Sequence, residues 1–385
     1  TSLAALGRQH TVRRRGRSLA VIGLMAAGVF MVTAINSFRL EGSRGADRRD
    51  SGTGGFAWVG ESTLPVYEDL NSVQGREKHG LDSVTESPGE VDLLSLRVSD
   101  GDDASCLNLN RAQRPRIMAV AAGRIAALDP FSFTAVEGTH ESSPWEVLTA
   151  PPSEEDGVPV IPGVVDQNTA AYALQLGLGD TIAYQSAAGD PFRVRIAGLL
   201  ATSILQGNIV IAEDAFLRLY PDAGGYRYFL LDSPDPEKAD ATAAHLTRMF
   251  GDLGLAMRPA SDRLNDFNAV QNTYLSIFST LGGLGVLLGT VGLAIIVGRN
   301  VLERRGQLGV MQAMGFTRRS LAGMVLAEHW FLHASGVLLG LLAAAIAVIP
   351  KLQGGLAGIP LGLLAGLNGA ILTGGLVFCW LAARV

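Results

Sequence analysis

The sequence predicts a membrane protein with four α-helical transmembrane spans, one followed by three, and a large α+β extracytoplasmic domain between spans one and two. Of its 385 residues, 48% are hydrophobic and only 17% are charged. The apolar residues are concentrated in four blocks, each close to the roughly 20 residues that a helix needs to cross a hydrocarbon core. Between the first two blocks lies a long stretch, 39–265, of mixed polar and apolar pattern.

The first block, residues 18–38 (SLAVIGLMAAGVFMVTAINSF), contains no charged residue. Arginines precede it at positions 13, 14, 15 and 17. A signal peptide is the alternative interpretation, but the block is long for the apolar region of a signal peptide and no clear A-x-A cleavage site follows it. We therefore interpret 18–38 as the first transmembrane helix.

The other three blocks, residues 275–297, 321–349 and 359–381, follow one another closely in the last third of the chain. Buried helices of a large soluble protein are the alternative interpretation. Such helices seldom reach this length without a charged face. We therefore predict three further spans within the region 266–385.

Arginines in the short segments predict the orientation, because Lys and Arg are enriched in cytoplasmic loops. The basic flank 1–17 contains five of them, and the loop 299–320 contains Arg299, Arg304, Arg305, Arg318 and Arg319. Both segments are expected in the cytoplasm, and so are both termini, including Arg384. Topology and attraction to anionic membrane lipids explain these arginines, so we expect no nucleic-acid partner.

The external domain 39–265 contains one cysteine, Cys106, and the other, Cys379, lies in the fourth span, so no disulfide within the domain is available. Short apolar runs alternate with turn signals, which predicts an α+β fold. The predicted strands are 91–98, 158–165, 181–184, 192–200 and 226–231, and the predicted short helices are 169–176 and 214–220.

Three further expectations concern local structure in this domain. Gly189-Asp190 predicts the turn of a hairpin between two of the strands. The segment that follows Pro236 predicts a helix whose face toward the sheet contains Ala241, Ala244, Leu246, Met249 and Phe250. Residues 261–272 contain no Pro or Gly, so we expect one helix to continue from the external domain into the second span.

Sequence motifs of catalysis are absent. No G-x-x-x-x-G-K-[ST], H-E-x-x-H, Cys-x-x-Cys or G-x-S-x-G occurs in the chain. We therefore predict no catalytic residue, no bound cofactor and no metal, and no ATP hydrolysis by this chain. Glu328, His329 and His333 have a spacing that could hold a metal, but we interpret them as polar contacts near the cytoplasmic start of span three.

Glycines recur at intervals of four residues within the spans: Gly285 and Gly289, Gly336 and Gly340, and Gly358, Gly362 and Gly366. Such small-residue faces allow membrane helices to approach closely. The pattern predicts tight helix packing and does not identify a partner. The spans offer no paired carboxylates, which argues against a proton-coupled transporter.

The loop 299–320 places Leu302, Leu308, Val310, Met311 and Met314 at spacings that suit a short amphipathic helix. Gly315 is a suitable residue to end it. Two interpretations remain open on these residues alone: a docking element for another protein, and a basic loop that lies against lipid.

The run VGRNVLERRGQLGVMQAMGFTRRSLAGMVLAEH resembles the signature segment of FtsX/MacB-like ABC transporter permeases. The resemblance covers about 275–381, and the external segment is similar to the MacB-like periplasmic domain. It implies an FtsX-like permease domain at 266–385 in a bacterial plasma (inner) membrane. It also implies that a cytoplasmic coupling helix docks on a separate ABC ATP-binding subunit, which binds the ATP. The interface residues carried over are Glu303, Arg304, Arg305, Leu308, Met314 and Gly315.

The same resemblance implies a second permease module as partner and export or release of lipoprotein, peptide or drug-like cargo, with a possible extracytoplasmic adaptor. Because the chain begins at Thr1 without Met, a C-terminal half of a longer two-module permease is one expectation. The alternative function is an FtsX-like signalling subunit that activates a cell-wall hydrolase. A third is an anchored receptor without an ATPase.

Overall fold

The computed structural model describes residues 15–38, 42, 45–81, 91–102, 104, 114–352 and 361–383. The chain divides into two compact units, 41–270 and a second that combines 1–40 with 271–385. Several residues discussed above lie outside the described part: Arg13, Arg14, Cys106, Gly358 and Arg384.

The described helices are α1 (Arg15–Ser37), α2 (Val73–Lys78), α3 (Ala122–Leu128), α4 (Glu213–Leu219), α5 (Pro236–Met249), α6 (Ala260–Glu303), α7 (Arg305–Ala313), α8 (Arg318–Leu352) and α9 (Leu361–Ala383). Single 3₁₀ turns occur at Pro144–Thr149 and Gly251–Leu253, and a π-helical turn at Thr169–Leu174. Four of the helices, α1, α6, α8 and α9, supply the apolar blocks of the sequence.

The strands are β1 (Trp58–Val66), β2 (Asp92–Ser99), β3 (Arg116–Val120), β4 (Phe133–Val136), β5 (Ser153–Glu155), β6 (Val158–Asp166), β7 (Thr181–Gln185), β8 (Pro191–Leu200), β9 (Asn208–Ala212), β10 (Tyr226–Asp232) and β11 (Ala256–Pro259). Among the described residues they form one mixed sheet in the order β11-β1-β10-β2-β3-β9-β6-β8-β4. β5 pairs with β6, and β7 pairs with β8.

The five strands predicted from the sequence are confirmed as β2, β6, β7, β8 and β10, with ends shifted by one residue at most. The predicted hairpin is confirmed as well: Tyr184 lies opposite Phe192, and Gly189 turns with φ +89°. The apolar runs and turn residues that predict these strands and the hairpin are close together in the chain, so they can be recognised from the sequence. The other six strands, β1, β3, β4, β5, β9 and β11, were not predicted.

Helix α5 begins where the sequence indicates, since the Asp235 side chain accepts a hydrogen bond from the Glu237 amide (3.0 Å) and Pro236 occupies the first turn. Its predicted buried face was wrong in part: Ala241, Ala244 and Met249 are exposed. The face that packs on the sheet consists of Ala239, Thr242, Ala243 and Leu246. The spacing of these four also fits a helix, so the pattern alone did not distinguish the two faces.

Large apolar side chains fill the core of the unit 41–270. Trp145 is fully buried, and its indole N–H donates to the Pro130 carbonyl oxygen at 2.7 Å. The ring of Phe133 stands edge-on to it, with ring centroids 5.1 Å apart. The polar end of the indole is therefore satisfied while its ring contributes apolar burial.

Three helical stretches of the described residues are long and apolar enough to cross a membrane: Leu19–Ser37, Ala260–Glu303 and Arg318–Ile349. In α9 the apolar stretch Gly362–Phe378 is shorter. These three stretches indicate a membrane protein, and the fourth span stays a prediction. Helix α6 is continuous over 44 residues, as the segment 261–272 predicted.

Candidate functional site

The segment between the long helices α6 and α8 forms a separate short helix, α7. Arg299 Nε donates to Glu303 Oε1 at 2.7 Å, an ion pair between residues four apart in the last turn of α6. The backbone leaves the helical conformation at Arg304 (φ −101°, ψ 5°), and α7 begins at the next residue. Glu303, Arg304 and Arg305 thus lie together at the break.

Helix α7 ends as the sequence predicted. Gly315 has φ +99°, a left-handed conformation that side chains other than glycine rarely adopt. The amide of Phe316 donates to the Met311 carbonyl oxygen (3.1 Å), which is the long bond of a Schellman motif. Thr317 then starts α8, because its hydroxyl oxygen accepts a bond from the Ser320 amide (3.2 Å).

No residue of α7 is buried. Val310 is 61% exposed and Met314 is 67% exposed, and Leu308 and Met311 are partly exposed. These four residues lie along one half of the helix circumference. The described part of the chain therefore leaves an apolar stripe open, with Arg305 exposed at its beginning.

The glycines predicted to pack helices divide into two groups. A Cβ added at Gly336 would lie 2.8 Å from Met25 Cβ, and one at Gly340 would lie 2.7 Å from the Ala26 carbonyl oxygen. On α6, a Cβ at Gly289 would lie 2.6 Å from Met25 Sδ, and Gly285 faces Gly28 at 3.7 Å. Helix α1 thus packs closely on both α6 and α8.

The prediction for Gly362 and Gly366 differs from the structure. Among the described residues, a Cβ added at either would meet no atom within 4 Å. In the described residues, α9 approaches α8 through Gly375 instead, where an added Cβ would lie 2.2 Å from His333 Cε1. The imidazole occupies the space that allows this approach, so the repeated spacing alone did not identify the contact.

The two histidines of α8 are buried. His329 Nδ1 lies 2.8 Å from the Val325 carbonyl oxygen, and His333 Nε2 lies 3.3 Å from the Ile371 carbonyl oxygen. His333 is about 22 Å along the helix from Arg318 at 1.5 Å per residue, so its placement near the cytoplasmic start was wrong. The side chain of Glu328 lies outside the described part. Across the described residues, no group of three His, Cys, Asp or Glu could hold a metal ion.

The external unit contains a buried carboxylate that sequence inspection missed. Asp166, at the end of β6, is 1% exposed. One of its oxygens accepts bonds from the Ser203 amide (2.7 Å) and hydroxyl (3.1 Å), and the other from the Asn168 amide (2.9 Å) and Gln206 Nε2 (3.4 Å). Burial raises the pKa of Asp166 to about 6, and these hydrogen bonds oppose that rise.

Comparisons with known proteins support the interpretation of the C-terminal region. Residues 279–384 match the family model of the FtsX-like permease C-terminal domain. An uncharacterized ABC transporter permease of Methanocaldococcus jannaschii is 21% identical over 156 residues, which cover 39% of this chain and 39% of that protein. The resemblance to FtsX-like permeases predicted from the sequence is thus confirmed for this region.

Among solved structures, the extracellular domain of the noncanonic ABC-type transporter YknZ from Gram-positive bacteria matches 52% of this chain and 98% of that chain. The identity is 12% and the TM-score is 0.25. The match of the family model assigns residues 279–384, which contain α7, to an FtsX-like permease domain. The unit 41–270 is built on a mixed sheet. Permeases of this class are not enzymes themselves.

Proposed function

We propose that this chain is the transmembrane permease subunit of an ABC transporter, and that α7 is the helix on which its ATP-binding subunit docks. The FtsX-like domain at 279–384 carries the proposal, because it contains the exposed helix between two long apolar helices. ATP is bound and hydrolysed on the partner subunit. The chain acts in the plasma membrane with both termini in the cytoplasm.

The composition of α7 suits a helix that inserts into a cleft of another protein. An exposed apolar stripe supplies the contact area, as in other helices that bind in grooves. Arg304 and Arg305 begin the helix and can pair with carboxylates of the partner. Met314 suits a contact that must adapt as the partner changes shape, since its side chain is flexible.

Helix α6 provides the route by which motion at α7 reaches the external unit. It is continuous from Ala260 to Glu303, about 66 Å at 1.5 Å per residue. A displacement of its cytoplasmic end is therefore transmitted along a single hydrogen-bonded helix. This motion of the external unit drives the export or release of lipoprotein, peptide or drug-like cargo. A second permease module completes the transporter.

The first test is co-purification in detergent with the ATP-binding subunits encoded near this chain, followed by an ATPase assay. Met314→Asp places a charge in the apolar stripe and is expected to abolish co-purification. Glu303→Lys reverses a charge at the helix break and is expected to weaken it. Val73→Asp is the matched control, because Val73 is 80% exposed in the external unit and far from α7 in sequence.

An ATPase that the wild type and Val73→Asp retain and Met314→Asp loses supports the docking assignment. Equal retention by all variants would refute the assignment of the docking site to α7. If no ATPase co-purifies with any of the proteins, the wild type included, a receptor without an ATPase is favoured. Deletion of the chain then distinguishes export from signalling: a transport subunit changes release of a cargo, and a signalling subunit changes cell-wall cleavage at unchanged export.

A further inference from the structure

A cavity of about 660 Å³ lies in the external unit beside the first turn of α6. Its walls come from the segment 46–58, from the end of β10 and the start of α5, and from Pro259 and Ser261. This volume lies within the roughly 300–1,000 Å³ of sites that hold drug-sized ligands. The cavity lies entirely within the unit 41–270.

Rigid apolar groups form much of the wall. Phe56 and Trp58 contribute rings from the start of β1, and Pro234, Pro236 and Pro259 contribute pyrrolidine rings. Phe56 is almost fully buried and Trp58 is partly exposed. Such a wall loses little conformational entropy on binding, because its rings are already fixed by the fold.

The charges around the cavity leave a negative excess. Arg49 pairs with Asp232, its Nη1 donates to the Gly54 carbonyl oxygen at 3.3 Å, and its guanidinium lies over the Phe56 ring at 5.6 Å. Arg49 is therefore neutralised within the wall. Asp47 and Asp240 are exposed and form no ion pair with any described residue, although the neighbouring Arg48, which pairs with Asp50, interacts electrostatically with Asp47. Asp240 accepts the indole N–H of Trp58 at 3.0 Å.

The indole bond holds the Trp58 ring beside the Asp240 carboxylate. An aromatic ring next to an unpaired carboxylate is a favourable environment for an organic cation, which gains from both the ring face and the negative charge. An anion of the same shape meets two carboxylates and is repelled.

We propose that this cavity binds an organic cation, a molecule with an apolar body of drug size and a protonated amine or a quaternary nitrogen or phosphorus centre. Pro259 and Ser261 flank the first residue of α6, so the bound molecule contacts the start of the helix that continues into the second unit. The proposal goes beyond the transport function, and its test requires no ATPase.

The test uses the full chain in lipid nanodiscs and tetraphenylphosphonium as probe, measured by equilibrium dialysis with binding to empty nanodiscs subtracted. The wild type is expected to bind the probe at a single saturable site. Asp47→Asn/Asp240→Asn is expected to bind about tenfold more weakly, because two nearby charges are lost. Asparagine can still accept the Trp58 bond, so the fold is expected to be retained.

Asp222→Asn/Asp252→Asn is the matched control, since it removes the same charge from exposed positions of the same unit and is expected to leave binding unchanged. Competition on the wild type gives a second measurement that depends on no variant. Phenethylammonium is expected to displace the probe, and phenylpropionate at equal ionic strength is not. Equal binding by all three proteins, or equal displacement by both competitors, would overturn the proposal.

Discussion

Asp166 illustrates how burial changes the behaviour of one side chain in the external unit. Its carboxylate is enclosed between β6 and the loop that carries Ser203 and Gln206. Burial raises its pKa to about 6 from an ordinary value of 3.8. The protonated form is therefore favoured in the folded protein over a pH range in which the unfolded chain is ionised.

We predict that Asp166 makes stability fall as the pH rises. The contribution of its raised pKa to the free energy of unfolding is complete below about pH 4 and is lost as the pH rises through about 6. A difference of about two pKa units between the folded and unfolded states corresponds to about 3 kcal/mol. Asp166→Asn removes this titration. The difference in unfolding free energy between wild type and variant should shrink by roughly this amount between pH 4 and 7. A difference that does not vary with pH would contradict the raised pKa.

Single glycines on the long helices provide a second prediction at this scale. In Gly340→Ala the new Cβ would lie 2.7 Å from the Ala26 carbonyl oxygen and 2.8 Å from Val29 Cβ, so α1 and α8 must separate. We expect a loss of about 1–3 kcal/mol, the usual cost of overpacking, seen as a lower unfolding midpoint in detergent. Gly362→Ala meets no neighbour and should leave the midpoint unchanged or raise it.

Among the secondary-structure elements, α7 depends on one residue for its end. Gly315→Ala forces a side chain into the left-handed region and should cost about 1–2 kcal/mol. We expect faster amide hydrogen exchange at Met314 and Phe316 and weaker binding of the ATP-binding subunit. Gly306→Ala, within the same helix and with open space around it, is the control and should slow exchange. Equal exchange in both variants would show that the cap does not hold the helix.

The elements also show what the sequence could predict. The end of α7 at Gly315 and the hairpin β7–β8 were predicted, because each depends on residues close together in the chain. The helix itself was predicted in part, since Leu302, expected on its apolar face, lies in α6. The sheet order was not, because β9 lies between β3 and β6 through pairings that no local pattern records. The cavity was missed for the same reason: Trp58 and Asp240 are 182 residues apart and meet only in the fold.

In the whole molecule, the external unit has its own cores. The large buried side chains of its sheet, from Phe56 to Leu264, belong to clusters whose members all lie within 41–270. We predict that a fragment of residues 45–270 folds alone, with a strand-rich circular dichroism spectrum and one cooperative unfolding transition. A fragment that melts gradually without a transition would show that the unit requires the membrane helices.

The two ends of the external unit meet. The amide of Gly42 donates to Asn265 Oδ1 at 2.8 Å, and β1 pairs directly with β11. A segment whose first and last residues are joined in this way can be inserted into a host chain without altering the host's own path. Recombination could therefore replace the external unit as far as the first turns of α6 and leave α1, the rest of α6 and α7 intact, so the external unit and the permease domain can evolve separately.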